Sequence, residues 1–414
     1  MVLGALGRAV AARGRATALL FIIGAPPLPR VEGRAYRAAR REATPVYFVG
    51  PLAEARGEVA PHLYPFGQST KCFAQWLLWE EQSNFSGFRT TTRPIELEVA
   101  RIERSRVEVR TAGPIARELA ERMFSGDFVH FPKHPLNRDA GVAFRDVTPS
   151  EHWRARFTSS RTLVVWDGFE TRPFAVKLAT DHPHTGVCQP EKTELREEVR
   201  EALLFAEHVL AVDARLGRDP ELLLLLESIG VSVPGSQTGM LVRDLAPLRD
   251  GHFYLPAFSI PFVGRTLAAA AGESFSAFWG AGYAEPVGRA KAKLLARYGL
   301  QYQTPNPQNI LVQLDARFRP TGAIVLRDLA DTDFVTDAGR ECGAPWTRLT
   351  ASLAPETANS FWAFEQAPAS PADAATLAAW HKRHDRAYVD ELRRQRDLPS
   401  CDSLDALAKL LARV

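Results

Sequence analysis

The chain has 414 residues, 46% of them hydrophobic and 24% charged, with a formal net charge of +3. That length has room for two or three subdomains with cores of their own, and the composition is ordinary for a soluble globular protein. So small a charge gives no nucleic-acid signal, and no run after the N-terminal segment is long enough to span a bilayer.

In chain order, Arg8, Arg13 and Arg15 precede the apolar run ATALLFIIGAP. The pattern shares features with a secretion signal, but the run is too short for a transmembrane helix. A first helix and strand, or an over-long start, is the expected reading. Arg30 to Glu42 reads as a solvated helix face. PVYFVG (Pro45 to Gly50) reads as a strand, and STKCFAQWLLWEEQ as a helix with Ser69 as candidate cap. IELEVARIERSRVEVR alternates as strands do, and PIARELAERMF reads as a short amphipathic helix with Pro114 at its start.

The middle begins with a loop, FPKHPLNRDAGVAF. A β-hairpin is predicted next, with arms Leu163–Trp166 and Phe174–Leu178 and the turn signal Asp167-Gly168 between them. A helix is predicted from Glu194 to about Leu216, with Leu195, Val199, Leu203 and Ala206 on its apolar face. LVRDL (Leu241 to Leu245) reads as a short strand. The last third reads as mainly helical, from VGRAKAKLLARYGL to LDALAKLLARV, with QAPASPADA as a linker. Within it, YQTPNPQNILVQLD places a strand after a polar loop, and AIVLRDL places a second strand that ends in Arg327 and Asp328.

The four cysteines, Cys72, Cys188, Cys342 and Cys401, lie far apart without a CxxC spacing. That fits reduced thiols in a cytoplasmic protein and argues against a disulfide framework, a zinc site or an iron–sulfur centre. The pairs His182/His184 and His381/His384 lack an identifiable third ligand and read as surface or capping histidines.

Polar and cationic residues gather at strand edges in four places: Lys133, His134 and Arg138; Ser159, Ser160, Arg161 and Thr162; Lys177, followed by Thr185, Gln189 and Lys192; and Asn306, Asn309, Arg327 and Asp328. Hydroxyls and cations at a strand end suit a polyphosphate, because they offset the charge that builds during phosphoryl or adenylyl transfer. Asn309 and Asp328 are candidate Mg²⁺ ligands, since hard cations take oxygen donors. Singly, each stretch also reads as a turn, an edge charge or a surface ion pair.

Their order resembles the NRPS-independent siderophore synthetases, the IucA/IucC (aerobactin synthetase) family. The family's HPxHPxxKxxxG motif is similar to FPKHPLNRDAG, which keeps Pro132, His134, Pro135 and Gly141 and has Arg138 at the Lys place. Its ATP-binding Ser-x-Arg-Thr corresponds to Ser159, Arg161 and Thr162, its phosphate-binding strand Lys to Lys177, and a substrate-side Thr to Thr185. Its YGIxxEAHxQNxLV pattern resembles RYGLQYQTPNPQNILVQLD, and its Arg-Asp close resembles VLRDL. The resemblance runs from about Asp127 to Thr332. Thr304 and Asn306 stand where the family has Glu and His, Phe131 where it has the first His, and Gln189 where it has an Arg.

The resemblance implies an α+β, hand-like fold. It divides the chain into a thumb-like region (1–125), a β-rich fingers-like region (126–255) and a mainly helical palm (256–414). It implies a cytoplasmic enzyme that uses ATP and Mg²⁺ to adenylate a carboxylic acid and joins it to an amine or hydroxyl, and it allows a homodimer. His134, Arg161, Lys177 and Lys192 would then be catalytic, Ser159, Thr162, Asn306, Asn309 and Asp328 nucleotide- or metal-facing, and Arg138, Thr185 and Gln189 substrate-facing. Two alternatives stay open. Asn309 and Asp328 also suit a kinase-like phosphotransferase, although Thr304 stands near the place of its catalytic acid. The substitutions at Thr304, Asn306 and Gln189 also suit a nucleotide-binding protein without turnover.

Overall fold

The computed structural model describes residues 95–134, 149–157, 162–165, 173–179, 196–236, 238–245, 248, 252–257, 260–302, 307, 309–329, 332–335, 349–350, 360–361, 364 and 371–396. The four cysteines, the apolar run near the N-terminus and the expected elements at 45–50, 69–82 and 404–414 lie outside these residues.

The first strand, β1 (Ile95–Glu103), shows how the largest sheet is built. Leu97 and Val99 are buried while Glu96 and Glu98 are exposed, the period of two expected of a half-buried strand. The next buried residue is Ile102, of opposite parity, because the register against β5 (Pro149–Phe157) shifts between Val99 and Ala100. The sheet also contains β2 (Glu108–Thr111), β3 (Phe124–Ser125), β4 (Phe128–Pro132), β6 (Thr162–Val165), β7 (Phe174–Leu178), β9 (Glu227–Ser232) and β10 (Gly239–Asp244). Its nine strands run in the order β2-β9-β10-β7-β6-β5-β1-β4-β3. The division expected at 125/126 therefore passes through a sheet, since β1 and β2 pair with strands beyond it.

Four strands form a second sheet: β8 (Leu222–Leu225), β11 (Phe253–Pro256), β13 (Ile310–Leu314) and β14 (Pro320–Arg327), ordered β11-β13-β14-β8. A third sheet joins β12 (Leu300–Tyr302), β15 (Thr332–Val335) and β16 (Leu349–Thr350). The C-terminal part is thus less purely helical than its composition suggested. Its helices are α3 (Ile260–Ala270), α4 (Phe275–Trp279), α5 (Glu285–Tyr298) and α6 (Ala374–Arg396), with a π turn, Gly280–Ala284, leading into α5. Earlier in the chain are α1 (Arg117–Met123) and α2 (Arg196–Leu216). The architecture is mixed α+β, as expected. Helix α1 starts three residues after Pro114 instead of on it, because Ala116 is still extended and its carbonyl accepts the first helical bond from Ala120 N–H.

Three of the apolar clusters among the described residues join the sheets and helices. One face of the nine-stranded sheet packs with Leu119 and Met123 of α1 around Leu97, Val99, Trp153, Leu163, Phe174, Val176 and Val242. Its other face meets the four-stranded sheet through Val164, Ala175, Leu225, Tyr254, Leu311 and Val325. The far side of the four-stranded sheet, with Ile310, Val312, Ile324 and Leu326, packs on the helices through Trp279, Tyr283, Leu294 and Trp380. Strands β13 and β14 are buried on both faces, which is why ILVQL and AIVL are near-continuous apolar runs. Helix α5 ends at Gly299, whose φ of 67° closes the last turn with N–H donation to Leu295. It lies so close to α6 that a Cβ on Gly288 would sit 2.3 Å from the His384 carbonyl oxygen.

Candidate active site

Alternation along β7 decides where its lysine points. Phe174, Val176 and Leu178 enter the layer beneath α1, so Ala175 and Lys177 share the opposite face, toward the four-stranded sheet. Thr162, the first residue of β6, stands opposite Lys177, so the two side chains share that face. On the other side β10 places Leu241 opposite Lys177 and Arg243 opposite Ala175. Arg243 is therefore the diagonal neighbour of Lys177 on the same face.

The β13–β14 hairpin supplies the other half of the site. Ile310 pairs with Leu326, and the Arg327 N–H donates to the Asn309 carbonyl at 3.1 Å. Asn309 thus faces Arg327 across the hairpin mouth, one residue from Asp328. Asp328 breaks the strand with a left-handed φ of 65°, a conformation that aspartate tolerates better than most residues and that collects at functional sites. Its carboxylate turns onto the nine-stranded sheet, where Oδ1 accepts from Lys177 Nζ at 2.8 Å and from Arg243 Nη2 at 2.9 Å. Lys177 and Asp328 are 151 positions apart in the chain. Arg243 in turn donates to Glu227 Oε1, through Nε at 2.8 Å and Nη2 at 2.6 Å. The inner pair is sealed, with Arg243 4% and Glu227 1% exposed, while Lys177 and Asp328 keep 14% and 21%.

These residues fit a polyphosphate and a hard cation. The ammonium of Lys177 lies beside Asp328, whose chain neighbour Arg327 is bonded to the Asn309 carbonyl, at a partly exposed joint between two sheets. Magnesium keeps several waters and takes one or two protein oxygens together with substrate phosphates. Among the described residues no group of three His, Cys, Asp or Glu is placed to hold a metal. A site shared with phosphates suits this donor set better than an all-protein cage.

Of the other candidates, His134 is buried just past the end of β4. Strands β6, β5 and β1 lie between β4 and β7, about 19 Å along the sheet at the usual strand spacing. Phe131, in the place of the family's first His, is a core residue beneath α1. Arg138, Ser159, Arg161, Thr185, Gln189, Lys192, Thr304 and Asn306 lie outside the described residues. Arg243 and Glu227 went unnoticed in the sequence. The only local signal was a buried-looking strand, LVRDL, carrying an arginine.

A second polar group lies in the helical layer. Lys291 of α5 donates to Ser360 Oγ at 2.6 Å, and Tyr283 donates to the Ser360 carbonyl at 2.6 Å. His384 of α6 lies beside them, fully buried and edge-on to Phe361. It is a core histidine, contrary to the surface or capping role expected, because α6 presents that position to α5. Burial, and then the charge of Lys291, pull its pKa down to about 4.

No protein-family model matches the sequence, and no curated protein matches it. Solved structures do share the fold. Aerobactin synthetase IucA from a hypervirulent pathotype of Klebsiella pneumoniae aligns with a TM-score of 0.55 at 16% identity, covering 87% of this chain and 71% of that one. The ATP-bound form of IucA aligns with a TM-score of 0.54 at 16% identity, covering 87% and 72%. Petrobactin biosynthesis protein AsbB from Bacillus anthracis str. Sterne aligns with a TM-score of 0.53 at 14% identity, covering 78% and 64%. The IucA/IucC-like resemblance carried by the motifs thus extends to the fold. No helix among the described residues is long and apolar enough to cross a membrane.

Proposed function

We propose that this protein is an ATP-dependent ligase that activates a carboxylic acid as its adenylate and transfers the acyl group to an amine or hydroxyl, in the manner of siderophore-type secondary metabolism. One observation carries this reading: Lys177 and Asp328, widely separated in sequence, meet at the joint of two sheets, with Asn309 bonded to the neighbouring Arg327. An ion pair in such a place adds little stability over apolar residues of the same size, so a ligand-facing role explains it better.

In the first half-reaction a carboxylate oxygen attacks the α-phosphorus of ATP. The bond from that phosphorus to the bridging oxygen breaks, and pyrophosphate leaves. In the second, the nucleophile attacks the acyl carbon and loses a proton, and AMP leaves. Lys177 offsets charge on the phosphate oxygens in the crowded transition state. Asn309 and Asp328 would hold Mg²⁺, which neutralises phosphate charge when bound. Ser159, Arg161, Thr162, Lys192 and Asn306 complete the nucleotide side by their resemblance to the family motifs. His134, Arg138, Thr185 and Gln189 belong to the substrate side by the same resemblance, with His134 near the acyl group.

The test is product identity. Purified protein with Mg²⁺, ATP and a panel of di- and tricarboxylates should release AMP and pyrophosphate in an acid-dependent way. Release of ADP would indicate a phosphotransferase instead. Nucleotide binding without turnover on any acid would indicate a binding protein.

A further inference from the structure

The Lys177–Asp328 contact and the Arg243–Asp328 contact are not equivalent, and the difference traces to a bulge. Strand β10 pairs Val242 with Ile229 and then Arg243 with Glu227, so Ser228 on β9 is skipped. A regular ladder would have set Arg243 against Ser228 and turned Glu227 to the opposite face. The bulge instead aims Glu227 at Arg243, and both nitrogens nearest the carboxylate contact a single oxygen, Oε1. Arg243 thereby bridges the two carboxylates through Nη2, which lies 2.6 Å from the sealed Glu227 Oε1 and 2.9 Å from Asp328 Oδ1. A guanidinium that bridges two carboxylates cannot leave without uncovering a buried charge. Lys177 differs: its ammonium ends a flexible stem at the more open side of the cluster.

We infer that Arg243 is the fixed positioning residue of Asp328, and that Lys177 is its exchangeable partner, latched to Asp328 until nucleotide phosphate draws it away. This rests on the nucleotide reading above and adds to it a division of labour. When Lys177 turns to a phosphate, Asp328 keeps Arg243 on the same oxygen, Oδ1, and so keeps the placement of its carboxylate. Glu227 acts at one further remove, by fixing Arg243.

The experiment is calorimetric titration of the full chain with ATP, at a series of Mg²⁺ concentrations and in excess chelator. Arg243→Lys should raise the Mg²⁺ concentration for half-maximal ATP binding by about tenfold, as loss of an orienting partner does at metal sites. ATP affinity in chelator should stay near that of the wild type. Lys177→Gln should weaken ATP binding in both conditions and leave the Mg²⁺ midpoint nearly unchanged. Glu227→Gln, nearly isosteric, should move the midpoint in the same direction as Arg243→Lys by a smaller factor, and it carries the test if Arg243→Lys does not fold. A wild type that binds MgATP, with Arg243→Lys or Glu227→Gln giving an unchanged midpoint or equal losses with and without metal, would overturn the latch alone. A wild type that binds no ATP in either condition would overturn the nucleotide reading and the latch together.

Discussion

Among the described residues, two of the places that bury cationic side chains treat them differently. Between the sheets, Lys177 and Arg243 share an oxygen of Asp328 at a joint that stays partly open. In the helical layer, Lys291 is held by a neutral serine hydroxyl and lies beside a histidine that burial and the Lys291 charge keep neutral. The first group is balanced by carboxylates and keeps some exposure to solvent. The second is closed off by Phe361, Phe364 and Trp380 and ties α5 to the Ser360 segment. A buried lysine therefore says little about function until its partners and its access to solvent are known.

Substitutions can break this contrast from either side. The largest effect is expected at Lys177→Ala, which should lower acid-dependent AMP formation by at least about 100-fold. Its unfolding midpoint should stay close to that of the wild type, because Arg243 still pairs with Asp328. Lys291→Ala should do the opposite. It removes a buried stem and leaves Ser360 without its donor, costing about 2–4 kcal/mol in denaturant unfolding while AMP formation per folded molecule persists.

The helical layer also predicts a pH dependence. The unfolded chain binds a proton on His384 near pH 6.5, whereas the folded chain resists it until about 4. The contribution of the neutral buried histidine is therefore complete above pH 6.5 and is lost as pH falls toward 4, an effect on the order of 3 kcal/mol. His208, lowered by burial as well, acts in the same direction. His384→Gln should flatten the slope of stability between those pH values, as followed by urea unfolding. The smallest effect is expected at Ser274→Ala. It removes the side-chain acceptor for Ala277 N–H at the start of α4 and should cost about 1 kcal/mol by thermal unfolding, with no change in activity.

Much of this was legible locally. The period of two in FAVKL placed Lys177 on a strand, and Asp167-Gly168 between two apolar arms foretold the β6–β7 pairing. The apolar runs before and after Leu314 gave the β13–β14 pair, and with it the closeness of Asn309 and Asp328. What sequence could not supply was the partner set. Lys177 and Asp328 meet through two sheets folding onto each other, and no local pattern encodes a contact over 151 positions. Glu227 and Arg243 face each other only because one residue of β9 is bulged. His384 was misread because HKRHD is polar throughout, whereas its burial comes from the close approach of α5 at Gly288.

One measurement bears most directly on the joint between the sheets as a catalytic nucleotide site: pyrophosphate and AMP release from ATP and Mg²⁺, by wild type and Lys177→Ala side by side, across a carboxylate panel. Acid-dependent AMP from the wild type, and its loss in a Lys177→Ala protein that remains folded, is the expected result. AMP release that survives Lys177→Ala unchanged, or a wild type that yields no AMP with any acid, would contradict it.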